Sequence, residues 1–418
     1  MADSPAPDAA TPRPVRALLT DPTFGPWFLG NLASNSGNWL YNVTAAVVVF
    51  NLTGSALLVG LVSVAQFASL AVLSPWAGAL ADRLDRRLLL LASQSVAAAS
   101  ATAIAVAVVV LGVDGLPGAW PVIAASGGIG VGVAFAGPAL NALVPALVPD
   151  ADLEDAVALT SLTFNIGRAL GPAVGGVLLA TVGAEVAFVA NAVSFLALIG
   201  ALAVIRPREV DRSGSGDRSV RAGLAYVRAD GVLVLLLVGV GAVGFATDPI
   251  NTLAPPLAAA LGGGDGLVAF LVSAFGLGAA AVALLAGRAQ RRAGLATVAT
   301  GGSLLLACGL ALAALAPVAA LALVGFAAMG AGFLLALTSL TALLQRRVRE
   351  DVRGRVMALW TVAFLGTRPL AALVDGAAAD AFGVRPAFGI AIAVALLGAA
   401  VGRALQGRMG APAPAPRV

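Results

Sequence analysis

The chain has 418 residues, 60% of them hydrophobic and 11% charged, with no histidine and one cysteine, Cys308. A soluble domain carries about 25% charged residues, so a mean hydropathy of +0.97 excludes an ordinary soluble enzyme and a disordered chain alike. The histidine and cysteine counts exclude a Ser-His triad, an imidazole proton relay, a disulfide framework and a His- or Cys-based metal site, and a net charge of +4 gives no reason to expect a nucleic-acid partner.

A bilayer core takes about 20 apolar residues per helix. Cutting the chain at charged or Gly/Pro-rich punctuation leaves twelve apolar stretches. They lie at 24–50, 55–80, 88–112, 119–147, 156–181, 184–205, 231–257, 266–287, 295–316, 318–344, 354–379 and 384–406. Residues 1–23 open as a polar, Pro-rich tail without the parts of a signal peptide, and 407–418 close as a similar tail.

The first span carries Asn31, Asn35, Asn38 and Asn42, with Trp39 and Tyr41 beside them. Steps of four, three and four put the asparagines on one helix face, where they bind substrate or water, or join helices by hydrogen bonds worth about 0.6–2 kcal/mol each. Gln66 follows in span two. Between spans two and three stands Gly78-Ala79-Leu80-Ala81-Asp82-Arg83-Leu84-Asp85-Arg86-Arg87. Gly78 suits close helix approach, Asp82 suits a helix N-terminus, and Arg83, Arg86 and Arg87 suit an anionic membrane surface. Span four has no arginine. Span five holds Asn165, Arg168 and the run Gly167-x3-Gly171-Pro172-x2-Gly175-Gly176. Gly-Pro frees backbone groups and bends a membrane helix, and the other glycines admit a neighbour.

The longest polar segment between spans, 206–230, separates 24–205 from 231–406 as a linker between six spans and six. Span seven contains Asp248 and Asn251, and Pro249, Pro255 and Pro256 are expected to break its outer half. Span eleven begins near Arg353 and Arg355 and carries Arg368 and Asp375 within it. Unpaired charge at such depth is costly, so Arg168 and Arg368 require carboxylates, and Asp248 is the first candidate, with a pairing expected to Arg168. Without histidine, only a carboxylate can carry a proton at ordinary pH. Asp248 and then Asp375 are the candidates for that role, or else fixed partners of the two arginines.

With the N-terminus placed inside and twelve spans alternating, every arginine except Arg385, Arg168 and Arg368 falls on one side. This positive-inside pattern puts both termini in the cytoplasm. All 25 basic residues are arginine, which with heavy Ala, Gly and Val usage suggests a bacterial source and hence the cytoplasmic (inner) membrane. The two halves also repeat. At an offset of 200, Ala158, Leu159, Phe164, Arg168, Gly176, Gly183, Ala187 and Phe188 recur as Ala358, Leu359, Phe364, Arg368, Gly376, Gly383, Ala387 and Phe388. Parallel six-helix repeats give an all-α fold of twelve transmembrane helices in two pseudo-symmetric bundles.

The loop at 78–87 resembles the signature loop of the major facilitator superfamily, and the Gly167–Gly176 run resembles its antiporter motif, with Ala158 standing where a family member's first glycine would fall. Segments 52–62, 137–176, 188–199 and 349–366 resemble the enterobactin-exporter-like and macrolide-efflux-like branch, and the likeness spans nearly the whole chain. It implies that span one lines a central cavity and that the signature loop gates the cytoplasmic side, with Arg353 and Arg355 as partners for Asp82. It further implies proton-coupled export of a drug, natural product or siderophore, by a monomer in the lipid bilayer, with no cofactor. The arginine that many proton antiporters carry in span four is missing, and the second-half loop at 286–294 lacks the aspartate. An importer or lysophospholipid flippase of the same fold, and a transport-inactive sensor or secretion accessory, are the alternatives. No phosphate loop, triad or folded soluble domain supports an enzyme.

Overall fold

Long apolar runs that must satisfy their own backbone become helices. The computed structural model describes residues 13–205 and 220–408, and no strand occurs among them. The first half comprises α1 (Val15–Leu19), α2 (Phe24–Thr53), α3 (Ala56–Arg83), α4 (Arg86–Leu111), α5 (Trp120–Leu147), α6 (Leu153–Thr181) and α7 (Ala184–Val204). A short α8 (Val220–Ala229) precedes the second half. There α9 (Gly231–Ala246), α10 (Pro249–Thr252) and α11 (Ala254–Ala260) together make the seventh span. Then come α12 (Asp265–Ala293), α13 (Leu295–Leu315), α14 (Ala319–Arg347), α15 (Arg353–Leu365), α16 (Arg368–Phe382) and α17 (Val384–Arg408).

Each of the twelve expected stretches is thus helical. Among the described residues, ten crossings are long and apolar enough on composition alone, and α2, diluted by its asparagines, is not one of them. Three boundaries differ from expectation. Helix α12 continues to Ala293, so the arginines at 288–292 sit on a helix rather than in a loop. The eleventh span is broken at Gly366–Thr367, where Pro369, lacking an N–H, sits in the first turn of α16. The last part of the linker, α8, is an amphipathic helix that buries Val227 in the second bundle; residues 206–219 of that segment, 1–12 and 409–418 lie outside the described residues, and the first tail, expected to be without structure, forms α1 over Val15–Leu19. Asp230 fastens this end by accepting from the Val232 amide at 2.9 Å and from Arg347 Nε at 2.5 Å.

Helix α2 packs on α6 and α7, α3 on α5, and α4 on α5 and α7. The same five pairings recur as α9 on α15 and α17, α12 on α14, and α13 on α14 and α17. Two six-helix bundles related by a pseudo-two-fold follow, and they meet through α3 against α16 and α6 against α12. Among the described residues, the first bundle has two apolar cores. One surrounds Tyr41, Ile129, Phe188 and Phe195. The other, towards the arginine-rich end, holds Leu18, Trp27, Leu143 and Leu202. The second bundle has one continuous core, which also takes in Val43, Val47 and Ala56 of the first. Polar contacts between the bundles join their arginine-poor ends: Ser55 to Asp380, and Asn51 to Asp265.

At the arginine-rich end the chain's start is clasped to the loop before α6. The Arg13 amide donates to Asp152 Oδ1 at 2.8 Å, its Nε to Asp152 Oδ2 at 2.6 Å, and its Nη1 to Asp21 Oδ2 at 3.0 Å. Asp21 Oδ1 caps α2 through the amides of Thr23 and Phe24. The Arg13 amide and guanidinium hold the Asp152 carboxyl below its ordinary range. Burial pushes Asp21 up, but the Phe24 and Thr23 amides and Arg13 more than offset this and leave it lowered. Carboxylates lowered by folding contribute stability above their unfolded pKa, about 4, and lose it as pH falls through the lower folded values. The clasp is therefore expected to persist down to about pH 4 and open below it. In detergent at neutral pH, Asp152→Ala should speed tryptic cleavage after the exposed Arg16 several-fold. An unchanged cleavage rate would show that the clasp does not hold the segment.

Candidate functional site

At mid-depth the two broken spans lie against each other. Thr367, at the break between α15 and α16, shares its hydroxyl among the carbonyls of Gly241 on α9 and of Ala363 and Phe364 on its own span, at 3.2–3.4 Å. A Cβ on Gly244 would stand 2.5 Å from the Phe364 carbonyl, so glycine there is what allows the two backbones to touch. Just beyond, Thr247 bonds back to Val243 and Gly244, and Asp248 precedes Pro249, where α9 gives way to α10. Interrupted membrane helices leave backbone groups that only protein or a cavity can satisfy.

Three charges gather at this crossing. Asp248 is fully buried; its Oδ2 accepts from Thr252 Oγ1 at 2.6 Å, and its Oδ1 has no partner. Arg368, the first residue of α16, is also buried, and its guanidinium stands 4.6 Å from the centre of the Phe67 ring on α3 of the other bundle. Its Nε is unpaired. Asp375, two turns further along α16, is buried with neither oxygen hydrogen-bonded. Arg368 and Asp248 act on each other electrostatically, and Asp375 feels Asp248. Among the described residues, Arg368 is the cation that acts on Asp248. The side chain of Arg168, the partner expected from sequence, lies outside the described residues, as does that of Asn165.

The asparagine stripe of α2 faces the same region and also joins helices. Asn31 Nδ2 donates to Thr163 Oγ1 of α6 at 2.8 Å, Asn35 donates to the Asn31 carbonyl at 2.9 Å, and Gln66 Nε2 of α3 donates to Asn38 Oδ1 at 3.1 Å. Asn42, Ser63, Gln66, Phe67 and Asn251 line a cavity of about 10 Å³ between the bundles, room for about one water. Asn42 Oδ1 and Asn251 Nδ2 are buried there without protein partners, an acceptor and a donor that a water would bridge. Tyr41, expected beside the asparagines in the cavity, lies elsewhere. It points into the first bundle, where its hydroxyl meets Ser126 Oγ at 2.7 Å and the Val122 carbonyl at 3.1 Å, with its ring edge-on to Phe188.

The span-five glycines are packing surfaces. Gly167 abuts Asn35 and Ser36, Gly171 abuts Ser36 and the Cβ of Trp39, and Gly175 abuts Leu40. A Cβ on Gly176 would collide with Ala269 of α12, across the bundle interface. In the signature loop the side chains of Asp82 and Arg83 and the surroundings of Gly78, like the side chain of Pro172, lie outside the described residues. Arg87 donates to the carbonyls of Leu202 and Ala203 at 2.7 Å, holding the C-terminal end of α7, where cations are favoured. Arg353 pairs with Glu350 at 3.7 Å, and Arg355 backs onto Gly223 of α8. Phe67 and Thr252 were not singled out from sequence. Thr252 had a legible signal, four residues after Asp248 on the same helix face; Phe67 had none.

The chain belongs to the transmembrane secretion effector family of major facilitator transporters, whose sequence model matches residues 15–412. It is 30% identical over 366 residues to the enterobactin exporter EntS of Shigella boydii, 82% of each chain. It is also 30% identical over 232 residues to macrolide efflux protein A of Streptococcus pyogenes, 51% of this chain and 55% of the relative. Among solved structures, a bacterial homologue of the human lysosomal transporter Spinster, inward-facing and unoccupied, superposes with a TM-score of 0.77 at 15% identity, over 96% of this chain and 100% of the other. A bacterial homologue of the iron transporter ferroportin gives 0.72 at 15% identity, over 91% and 97%. These structures share the fold. By its family and relatives the chain is a membrane transporter and not an enzyme.

If Arg368 balances Asp248 without a direct bond, removing it alone should destabilise the fold, by less than the roughly 3–5 kcal/mol of a bonded buried pair. In detergent, Arg368→Leu should lower the unfolding temperature, and Arg368→Leu with Asp248→Asn should recover part of the loss. Strictly additive losses would show that the two charges do not interact.

Proposed function

We propose that the protein is a proton-driven exporter of small amphipathic molecules in the bacterial cytoplasmic membrane. It acts as a monomer, with both termini and the arginine-rich end in the cytoplasm. The bundles 24–205 and 231–406, joined by 206–230, rock about the mid-depth site and expose it to each side in turn. The observation that carries the reading is the excess of carboxylate over cation, among the described residues, in the buried group Asp248, Arg368 and Asp375. Fully ionised, the group bears one net negative charge in a medium that penalises it; one proton makes it neutral. Asp248 is the carrier in this reading, with Asp375 as its neighbour and Arg368 as the cation that releases the proton when the site opens to the cytoplasm. Asn35, Asn38 and Trp39 offer the substrate hydrogen-bond groups and an aromatic surface, and the largely apolar surroundings favour an amphipathic ligand. The outward direction rests on the antiporter-like run in span five and on relatives named as an enterobactin exporter and a macrolide efflux protein.

The test uses everted vesicles with an acidic lumen and a pH-sensitive dye. Dyes, macrolides, tetracyclines and catecholate siderophores are added in turn. Proton release from the lumen on adding one class, absent in Asp248→Asn, is the expected outcome. Substrate-evoked release that persists in Asp248→Asn would remove Asp248 from the mechanism. Substrate uptake into the vesicles without proton movement would overturn the coupling.

A further inference from the structure

Alternating access requires that the contacts sealing one end of the molecule be breakable, and one contact at the arginine-poor end joins a charge to a helix terminus across the two bundles. Helix α3 starts after Ser55, whose hydroxyl oxygen accepts from the Leu58 amide at 3.2 Å. That cap leaves the amides of Ala56 and Leu57 without an intrahelical acceptor. Both are taken by Asp380 of α16, from the other bundle: Ala56 N to Oδ1 at 2.7 Å and Leu57 N to Oδ2 at 3.3 Å. The Ser55 hydroxyl donates to Asp380 Oδ2 at 2.6 Å. A carboxylate at a helix N-terminus gains from the hydrogen bonds and from the helix dipole together.

The surrounding packing is built to bring these groups together. Gly376, one turn before Asp380, rests on α3 so closely that a Cβ would stand 2.7 Å from the Ala56 carbonyl. Gly60, one turn into α3, lies against the carbonyl of Ala372, which is itself fully buried. Asp380 is exposed, so water reaches the latch from the arginine-poor side. Elsewhere at this end, Asn51 of α2 donates to both oxygens of Asp265, at 3.0 and 3.1 Å, where α12 begins. That contact also sets a second-bundle carboxylate against a first-bundle donor, but it caps no helix of the opposite bundle.

We infer that Asp380 is the latch that holds the arginine-poor end closed, its carboxylate completing the N-terminal cap of α3 from the opposite bundle. The latch rests on the alternating-access reading above but not on the substrate or the coupling ion. Opening this end uncaps α3 and frees Asp380, so the charge and its geometry set how much of the population stays closed.

The test uses the full chain in nanodiscs, where both ends are reachable, with Cys308→Ala and a reporter Ala372→Cys behind the seal. The readout is the rate of labelling by a membrane-impermeant maleimide. Losing a charge-assisted hydrogen bond set is expected to raise the open population about tenfold, so Asp380→Asn and Asp380→Ala should label about tenfold faster than the parent. Ser55→Ala should give a smaller rise, and Asp380→Glu should label at close to the parental rate. Unchanged labelling in Asp380→Asn and Asp380→Ala would overturn the inference. So would an equal rise in Asp380→Glu, which keeps the charge. Size-exclusion and thermal unfolding profiles matching the parent separate gate opening from misfolding. Because the readout needs neither substrate nor proton gradient, failure of the coupling proposal leaves it unaffected.

Discussion

A helix that stops and restarts inside a membrane leaves backbone groups that lipid cannot satisfy. The seventh and eleventh spans both do so, and each break is placed against the other. Thr247 and Thr367 turn their hydroxyls back onto carbonyls, and Gly244 lets the Phe364 backbone approach. The charges follow from this arrangement. Asp248 stands at one break and Arg368 at the other, where the helix ladder is already open. Asp375 lies two turns further along the same face. Phe67, from the opposite bundle, covers the guanidinium, so the polar centre spans the interface between the two moving bodies and belongs to neither alone.

The bundles are held differently along that interface. At mid-depth the contacts are a cation over a ring and a water-sized cavity between Asn42 and Asn251. Towards the arginine-poor end they become backbone against backbone, through Gly60 and Gly376, and backbone against the Ala269 methyl at Gly176, with carboxylates at the margin. Contacts of small residues gain dispersion only at close range and forfeit it at once when the gap widens, which suits a seal that must open in one step. Within the first bundle, Gly167, Gly171 and Gly175 use the same closeness to fix α6 on α2, so one run of glycines serves a permanent contact and, at Gly176, a breakable one.

The spans were legible because hydropathy and arginine placement act locally, and every expected stretch became helix within a few residues. The break in the seventh span was legible in Pro249, Pro255 and Pro256. The break in the eleventh had its own signal in Pro369, which removes an amide from the first turn of α16, but a single proline after Arg368 reads as a kink as readily as a break. What the sequence hides is rotation about each helix. The asparagine steps of four, three and four define a face, and Tyr41, one residue from Asn42, lies about 100° off it; its place in the first-bundle core follows from that angle. No local pattern joins Asp248 to Arg368, Phe67 to that arginine, or Asp380 to Ser55, because each pairing depends on how two bundles built far apart in the chain come to face each other.

The latch also bears on the order in which the protein is assembled. Ala56 and Asp380 are 324 residues apart, so a ribosome releasing the chain has placed ten spans in the bilayer before the residue that finishes the second one exists. Until then the start of α3 relies on water for two of its amides, and the interface of the first bundle has nothing to close against. Arg13, by contrast, waits only 139 residues for Asp152, a wait that ends as the fifth span begins. The first bundle can therefore secure its arginine-rich end early in synthesis, while its other end stays unsealed until the eleventh span is nearly complete.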